Sequence, residues 1–319
     1  MMNGLAPLAV TAGHPSPDLP VVPPPMHRWE TRSGLRIAAD SWGTEDAPLV
    51  MLLHGGGQTR QAWRNTGATL AAAGYRVFAL DARGHGDSDW AADGAYGADG
   101  MVEDLASVIS EIDRGPPVLI GASMGAVTSL VAIGESRVEA AALVMLDLAP
   151  RMEPQGVSRI RKFMNRNGFD SLEEVTQAVQ AYRPQRDRPP SKQGLARNLR
   201  LGSDGRLYWH WDPRLVEMRH DLTALEQRLE ACARKLAVPT LLVRGGLSDL
   251  LSEGGTENFR AACPHAEYVC LAQAGHMIVG DSNEAFSAAL LPFLRRVAPP
   301  NRPPSSGCRC RGRLVKRPT

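Results

Sequence analysis

The chain has 319 residues, 43% hydrophobic and 22% charged, with a formal net charge of +2. That length and balance fit a soluble globular enzyme with a sizeable core and are ordinary in every class fraction. Residues 301–319 hold six Lys/Arg and no acid, so the remainder carries 30 basic against 34 acidic residues, and a mildly acidic body argues against nucleic-acid binding.

No apolar run approaches the ~20 residues of a membrane span, and no membrane attachment is expected. The first 25 residues contain seven prolines and no Lys or Arg, unlike a secretory signal. Residues 1–26 therefore read as a disordered Pro-rich leader and 299–319 as a basic disordered tail. Five cysteines, Cys232, Cys263, Cys270, Cys308 and Cys310, are odd in number and lack a framework spacing. Reduced thiols in a cytoplasmic protein are the expectation.

In chain order, residues 27–31 and 35–39 flank Ser33-Gly34 as a hairpin would. Pro48 to Leu53 is a continuous apolar run, the signature of a strand buried on both faces, and it ends in His54-Gly55-Gly56-Gly57. A helix about Gln61–Ala73 closes at Gly74. The strand Arg76–Leu80 leads into Asp81-Ala82-Arg83-Gly84-His85-Gly86-Asp87-Ser88, and a helix follows about Asp99–Ile112. Val118 to Ile120 is a strand ending in Gly121-Ala122-Ser123-Met124-Gly125, with helical periodicity immediately after it. Ala141–Leu146 is a further strand, ending at Asp147.

The alternation stops near Pro150. Residues 151–235 show no strong strand run. They have helical candidates at Leu172–Tyr182 and Leu222–Lys235, with an aromatic stretch, Leu207 to Pro213, between them. They read as a helical cap inserted after the sixth core strand. The rhythm resumes with a strand at Thr240–Gly245, a helix near Thr256–Ala262, a strand at Glu267–Leu271 and a last helix at Asn283–Val297. The expected class is α/β, a mostly parallel doubly wound sheet, with the core formed by 27–150 and 236–298. In such sheets ligands sit beyond the carboxyl ends of the strands, where His54–Gly57, Gly84–Ser88, Ser123 and Asp147 all fall.

Strand, tight turn around serine, then helix is the setting in which G-x-S-x-G denotes a nucleophile elbow. Gly121 and Gly125 leave room for strand and helix to pass, and the Met124 N–H at the helix start can face a developing oxyanion. The alternative is a glycine-rich turn with an idle serine. A serine needs a base within hydrogen-bond reach and the base needs an orienting carboxylate. Asp249 in Gly245-Gly246-Leu247-Ser248-Asp249 and His276 in Ala274-Gly275-His276 both follow strands, in the order Ser, Asp, His. Asp147 and Glu253 are rivals for the carboxylate.

H-G-G-G at 54–57, D-A-R-G-H-G-D-S at 81–88, G-A-S-M-G at 121–125, G-G-L-S-D at 245–249 and A-G-H at 274–276 stand in order, each at a strand end. On these motifs residues 27–297 resemble the α/β-hydrolase superfamily, in its lidded, esterase-like and epoxide-hydrolase-like branch. The resemblance implies Ser123 as nucleophile, His276 as general base and acid, Asp249 as orienting carboxylate, and the Gly56 and Met124 amides as oxyanion hole, with Gly57 as the alternative donor. In some relatives the acid comes from the Asp147 position. His54, His85, Arg83 and Asp87 read as loop organisers, and Trp209 and Trp211 as candidates for the substrate pocket wall.

Epoxide hydrolases and haloalkane dehalogenases of this superfamily attack with an aspartate, and residue 123 is serine. The expected reaction is therefore acyl transfer to water: hydrolysis of a small, partly apolar carboxylic ester, without cofactor or metal. The expected partner is a small-molecule substrate. The same residues serve carbon–carbon bond hydrolysis of vinylogous diketones and cofactor-free perhydrolysis in relatives, and a non-catalytic ligand-binding member of the fold is the reading from a different class.

Overall fold

The computed structural model describes residues 23–301 except 167, 183–191, 218–220 and 282. Most of the leader (1–22), most of the tail (302–319) and Cys308 and Cys310 lie outside the described residues.

The chain opens with strands β1 (His27–Glu30) and β2 (Arg36–Trp42), an antiparallel hairpin turned by Gly34 at φ +77°. Then come β3 (Leu49–Leu53), helix α1 (Arg64–Ala72), β4 (Arg76–Leu80), α2 (Ala98–Ile112), β5 (Val118–Ala122), α3 (Met124–Gly134) and β6 (Ala142–Leu146). The next stretch holds α4 (Pro154–Asn165), α5 (Leu172–Tyr182), α6 (Lys192–Ala196), β7 (Leu199–Leu201), β8 (Leu207–Trp209), α7 (Arg214–Glu217) and α8 (Leu222–Arg234). The chain closes with β9 (Thr240–Gly245), α9 (Glu253–Ala262), β10 (Glu267–Leu271), α10 (Ile278–Asp281) and α11 (Asn283–Val297).

Eight strands form one sheet in the order β1-β2-β4-β3-β5-β6-β9-β10. β2 runs antiparallel to β1 and β4, and the pairs from β4 across to β10 are parallel. The apolar runs of the central strands reflect burial on both faces. Met51, Leu119, Leu143 and Leu242 point into a core shared with α2, α3, α8 and α9. Their neighbours Val50, Leu52, Val118, Ile120, Val144 and Val243 point the other way, against α1 and α11. Each such side chain contributes roughly 1.5–3 kcal/mol by leaving water. That rigid slab holds the loops at the strand ends in register.

Residues 151–235 differ from the purely helical insertion expected. β7 and β8 make an antiparallel two-stranded sheet, with Leu199 opposite Trp209. Strands of three residues are too short to print a period-2 pattern on the sequence. Nor does the segment pack as one unit. α4 to α7 gather around a small core of Phe169, Val175, Val179, Leu195, Trp209 and Trp211, whereas α8 lies on α3 and puts Leu229, Cys232 and Ala233 into the main core. Gly134 permits that approach, since a Cβ there would collide with Cys232.

Candidate active site

Ser123 sits between β5 and α3 at φ +47°, ψ −110°, a left-handed conformation costly for a residue with a Cβ. The surroundings hold it there. Its N–H donates to the Leu146 carbonyl (3.1 Å), its carbonyl accepts from Ala126 (2.9 Å) and Val127 (3.0 Å), and the Gly125 N–H donates to His54 (3.1 Å). A Cβ on Gly121 would strike the Gly125 backbone, and one on Gly125 would strike the Leu53 carbonyl. The two glycines are therefore what lets this turn close.

His276 follows β10 and donates from Nδ1 to Asp147 Oδ2 at 2.7 Å. That contact fixes the tautomer and leaves Nε2 as the basic atom. Asp147, at the end of β6, is 1% exposed and also lies at positive φ (48°). Gly245 N–H donates to its Oδ1 at 2.8 Å, and the Ser248 hydroxyl donates to Oδ2. Ser248 Oγ in turn accepts from Leu250 (3.1 Å) and Leu251 (3.3 Å).

Asp249, the carboxylate expected from the sequence, does not meet His276. The turn after β9 is pinned by Gly246 N–H to Leu271, Leu247 N–H to Ala274 and Ser248 N–H to Gly245. This aims Ser248 at Asp147 and turns Asp249 outward, where it pairs with Arg159 of α4 at 2.9 Å with about a third of its side chain exposed. Glu253, the other rival, is largely exposed and stands 3.8 Å from Arg244. The supporting hydroxyl of Ser248 escaped the sequence reading, although it stands one residue before the expected acid.

The glycine loop after β3 packs against Ser123: a Cβ on Gly55 would stand 3.4 Å from the Ser123 Cβ. Gly55 N–H donates to Gln58 Oε1 (3.0 Å) and Gly57 N–H to His85 Nε2 (3.2 Å). Among the described residues the amides of Gly56 and Met124 have no acceptor, so these two donors remain for a ligand. Three buried histidines stand behind the loop, with ring centroids 5.0 Å apart for His54 and His85 and 5.8 Å for His85 and His210. His54 Nε2 accepts from Ala82 N–H (3.0 Å) while its Nδ1 donates to Gly55 O (2.8 Å). His85 Nδ1 donates to Arg83 O (3.1 Å), and His210 Nδ1 accepts from Gly86 N–H (2.8 Å). Burial pushes all three pKa values down, that of His210 to about 3, so each ring is neutral. Arg83 grips Asp104 with two bonds, and Asp87 pairs with the buried Arg60. His54, His85, Arg83 and Asp87 thus organise loops, as expected.

Ser123, Met124, Gly56 and His276 line one cavity of about 250 Å³. Its walls are mostly apolar, from Met101, Val127 and Leu148 of the core side to Met152, Ile160 and Met164 of the inserted segment. Trp209 and Trp211, expected as pocket wall, are not among the lining residues. They stack on each other (4.9 Å, 11°) at 2% and 1% exposure, within the inserted segment's own core. Trp209 Nε1 donates to Arg166 O (2.7 Å), and Trp211 backs onto Gly57. The aromatic contribution to the wall comes from Tyr96 and Tyr182.

An eight-stranded sheet of this order, with a serine elbow and a histidine on loops at the same edge, is the α/β-hydrolase fold, and the protein is a hydrolase of that class. It belongs to the serine aminopeptidase S33 family, Hydrolase_4, whose model matches residues 44–283. The esterase Rv0045c of Mycobacterium tuberculosis is 27% identical over 257 residues, covering 78% of this chain and 83% of its own. Its crystal structure superposes with a TM-score of 0.68 over 86% of this chain and 92% of that one, at 26% identity. A 3-hydroxybutyrate-oligomer hydrolase of Cupriavidus necator is 28% identical over 256 residues, covering 76% of this chain and 87% of its own. No helix among the described residues is long and apolar enough to cross a membrane.

Proposed function

We propose that the protein is a serine hydrolase that cleaves small, partly apolar carboxylic esters. Ser123 attacks the ester carbonyl while His276 Nε2 takes its proton. The Gly56 and Met124 amides receive the oxyanion, and Asp147 holds the imidazole and stabilises its charged form. His276 then protonates the leaving alcohol, and water activated by the same ring releases the acid. The observation that supports this most is the hydrogen bond from His276 to a buried Asp147, in a histidine that lines the same cavity as Ser123. Helices α4 to α7 act as the cap that keeps this cavity apolar. We place the protein in the cytoplasm, in keeping with the unpaired Cys232, Cys263 and Cys270.

The family's name invites a peptidase reading. An aminopeptidase must receive a substrate ammonium group, and among the described residues no aspartate or glutamate lines the cavity. The apolar wall favours an ester. The test is covalent labelling by a fluorophosphonate with peptide mapping, together with turnover of a p-nitrophenyl ester series. We expect labelling at Ser123 that Ser123→Ala abolishes, and turnover that is greatest for short to medium acyl chains. An unlabelled, folded wild type would sink the proposal.

A further inference from the structure

Gly55 to Gln58 is a four-residue turn between β3 and α1. Its closing bond runs from Gln58 N–H to the Gly55 carbonyl at 3.1 Å, and Gly57 at φ +75° takes the left-handed place that a type II turn needs. The Gly55 carbonyl accepts a second bond, from His54 Nδ1 at 2.8 Å. A trans peptide unit is planar, so its C=O and the following N–H point in opposite directions. Gripping the Gly55 carbonyl from two sides therefore sets where the Gly56 N–H points. Gln58 holds the preceding peptide unit as well, because Gly55 N–H donates to its Oε1 at 3.0 Å. One residue thus fixes two successive planes of the glycine loop, one with its backbone and one with its side chain.

The other end of that side chain reaches across the site. Gln58 Nε2 donates to the Val279 carbonyl at 3.1 Å, 221 positions along the chain and three residues after His276. Ile278 N–H in turn donates to the His276 carbonyl at 3.1 Å. The carboxamide is used at both ends as its chemistry requires, oxygen to an N–H and nitrogen to a C=O. Gly56, Gln58, His276 and Val279 all line the cavity. We propose that Gln58 is a positioning residue: it sets the aim of the Gly56 amide and ties that donor to the segment that carries the base. This rests on the ester-hydrolase reading above and adds a residue to the machinery of that same site. An apolar side chain of equal length would fill the same space and satisfy neither partner.

The test is Gln58→Met, nearly the same in length and volume, assayed with p-nitrophenyl butyrate at pH 7.5. Urea unfolding reports that the variant is folded, and fluorophosphonate labelling of wild type reports that Ser123 is activated. We expect kcat to fall about ten- to a hundred-fold, part of the roughly 10²–10³ that a whole oxyanion donor is worth, while KM stays within about twofold. Affinity for a trifluoromethyl ketone should fall by about the same factor as kcat/KM, since the oxygen of its adduct with Ser123 stands in for the oxyanion. A residue that only filled space would leave both ratios unmoved. Should Gln58→Met not fold, Gln58→Asn decides by the same two readouts, as it keeps an amide but is one methylene too short to reach both Gly55 and Val279. Unchanged kcat in a folded variant overturns the inference. So does a raised KM at unchanged kcat, which would make Gln58 a substrate contact. A folded wild type that does not label loses the ester-hydrolase reading, and the inference falls with it; a labelled wild type matched by its variant loses the inference alone.

Discussion

His276 Nδ1 lies 2.7 Å from Asp147 Oδ2, and these two residues come from strand ends 129 positions apart in the chain. The acid that holds the histidine thus follows β6, and the carboxylate after β9 does something else. Asp147→Asn removes the charge that stabilises the imidazolium and lets the ring take the wrong tautomer. We expect kcat to fall about 10⁴-fold with little change in KM. Asp249→Asn breaks a partly exposed pair with Arg159, a contact of the kind that contributes only about 0–1 kcal/mol. Its kcat should stay within about threefold of wild type. Steady-state kinetics on a p-nitrophenyl ester decides between the two, and a 10³-fold or larger loss in Asp249→Asn would reverse the assignment.

Ser248 is the second support of that carboxylate. Its hydroxyl donates to the oxygen that His276 uses, and it is itself held by two backbone amides. Among the described residues, Ser248→Ala leaves Asp147 with the Gly245 amide and the histidine alone. A lost hydrogen bond to a charged group is worth about 1.5–3 kcal/mol, so a tenfold or greater fall in kcat is expected at unchanged KM. Restoration by Ser248→Thr, which keeps the hydroxyl, would separate this role from general damage to the turn.

The central strands β3, β4, β5, β6 and β9 could be read from the sequence because burial on both faces writes continuous apolar runs such as Leu49–Leu53, whereas β1 and β2 were legible as a hairpin about Ser33-Gly34. The elbow was legible for the same reason: Gly121 and Gly125 mark backbone contacts that no larger residue allows. The choice between Asp147 and Asp249 was not. Both follow core strands, and the choice depends on the turn from Gly245 to Ser248, which is pinned by long-range backbone bonds to Leu271 and Ala274. Trp209 and Trp211 misled for a related reason. An aromatic cluster in a segment over the site serves equally as wall or as core, and here a three-residue hairpin folds the pair inward, away from the cavity.

His85 ties the glycine loop after β3 to the loop after β4 through the Gly57 amide (3.2 Å). In the proposed mechanism it is a positioning residue: if it lets go, the neighbouring Gly56 N–H can drift from its aim. Loss of one oxyanion donor costs about 10²–10³ in turnover, and a loosened donor should cost part of that. We expect His85→Ala to lower kcat about tenfold or more, with His85→Gln, whose side-chain oxygen can accept from Gly57, recovering part of it.

The buried trio His54, His85 and His210 also sets how stability responds to acid. Their folded pKa values lie below the ordinary 6.5, through burial first and mutual repulsion second for His85 and His210, and His210 reaches about 3. In the unfolded chain the same rings take up protons as pH falls below about 6.5. The unfolded state then binds more protons than the native one, and ΔG of unfolding falls with falling pH. The stabilisation is complete above pH 6.5 and is lost progressively toward the depressed native values. Each ring contributes up to about 1.4 kcal/mol per pH unit in that window. The half-buried His27 adds a smaller share of the same sign. Urea unfolding at pH 7.5, 6.5, 5.5 and 5.0 should show stability level at the top and declining steeply below, before most carboxylates begin to titrate. His210→Asn should flatten that slope by about one ring's contribution, whatever its effect on the value at pH 7.5. An equal slope in the variant would mean that His210 is protonated in the native state, and the neutral hydrogen-bond network behind the glycine loop would have to be redrawn.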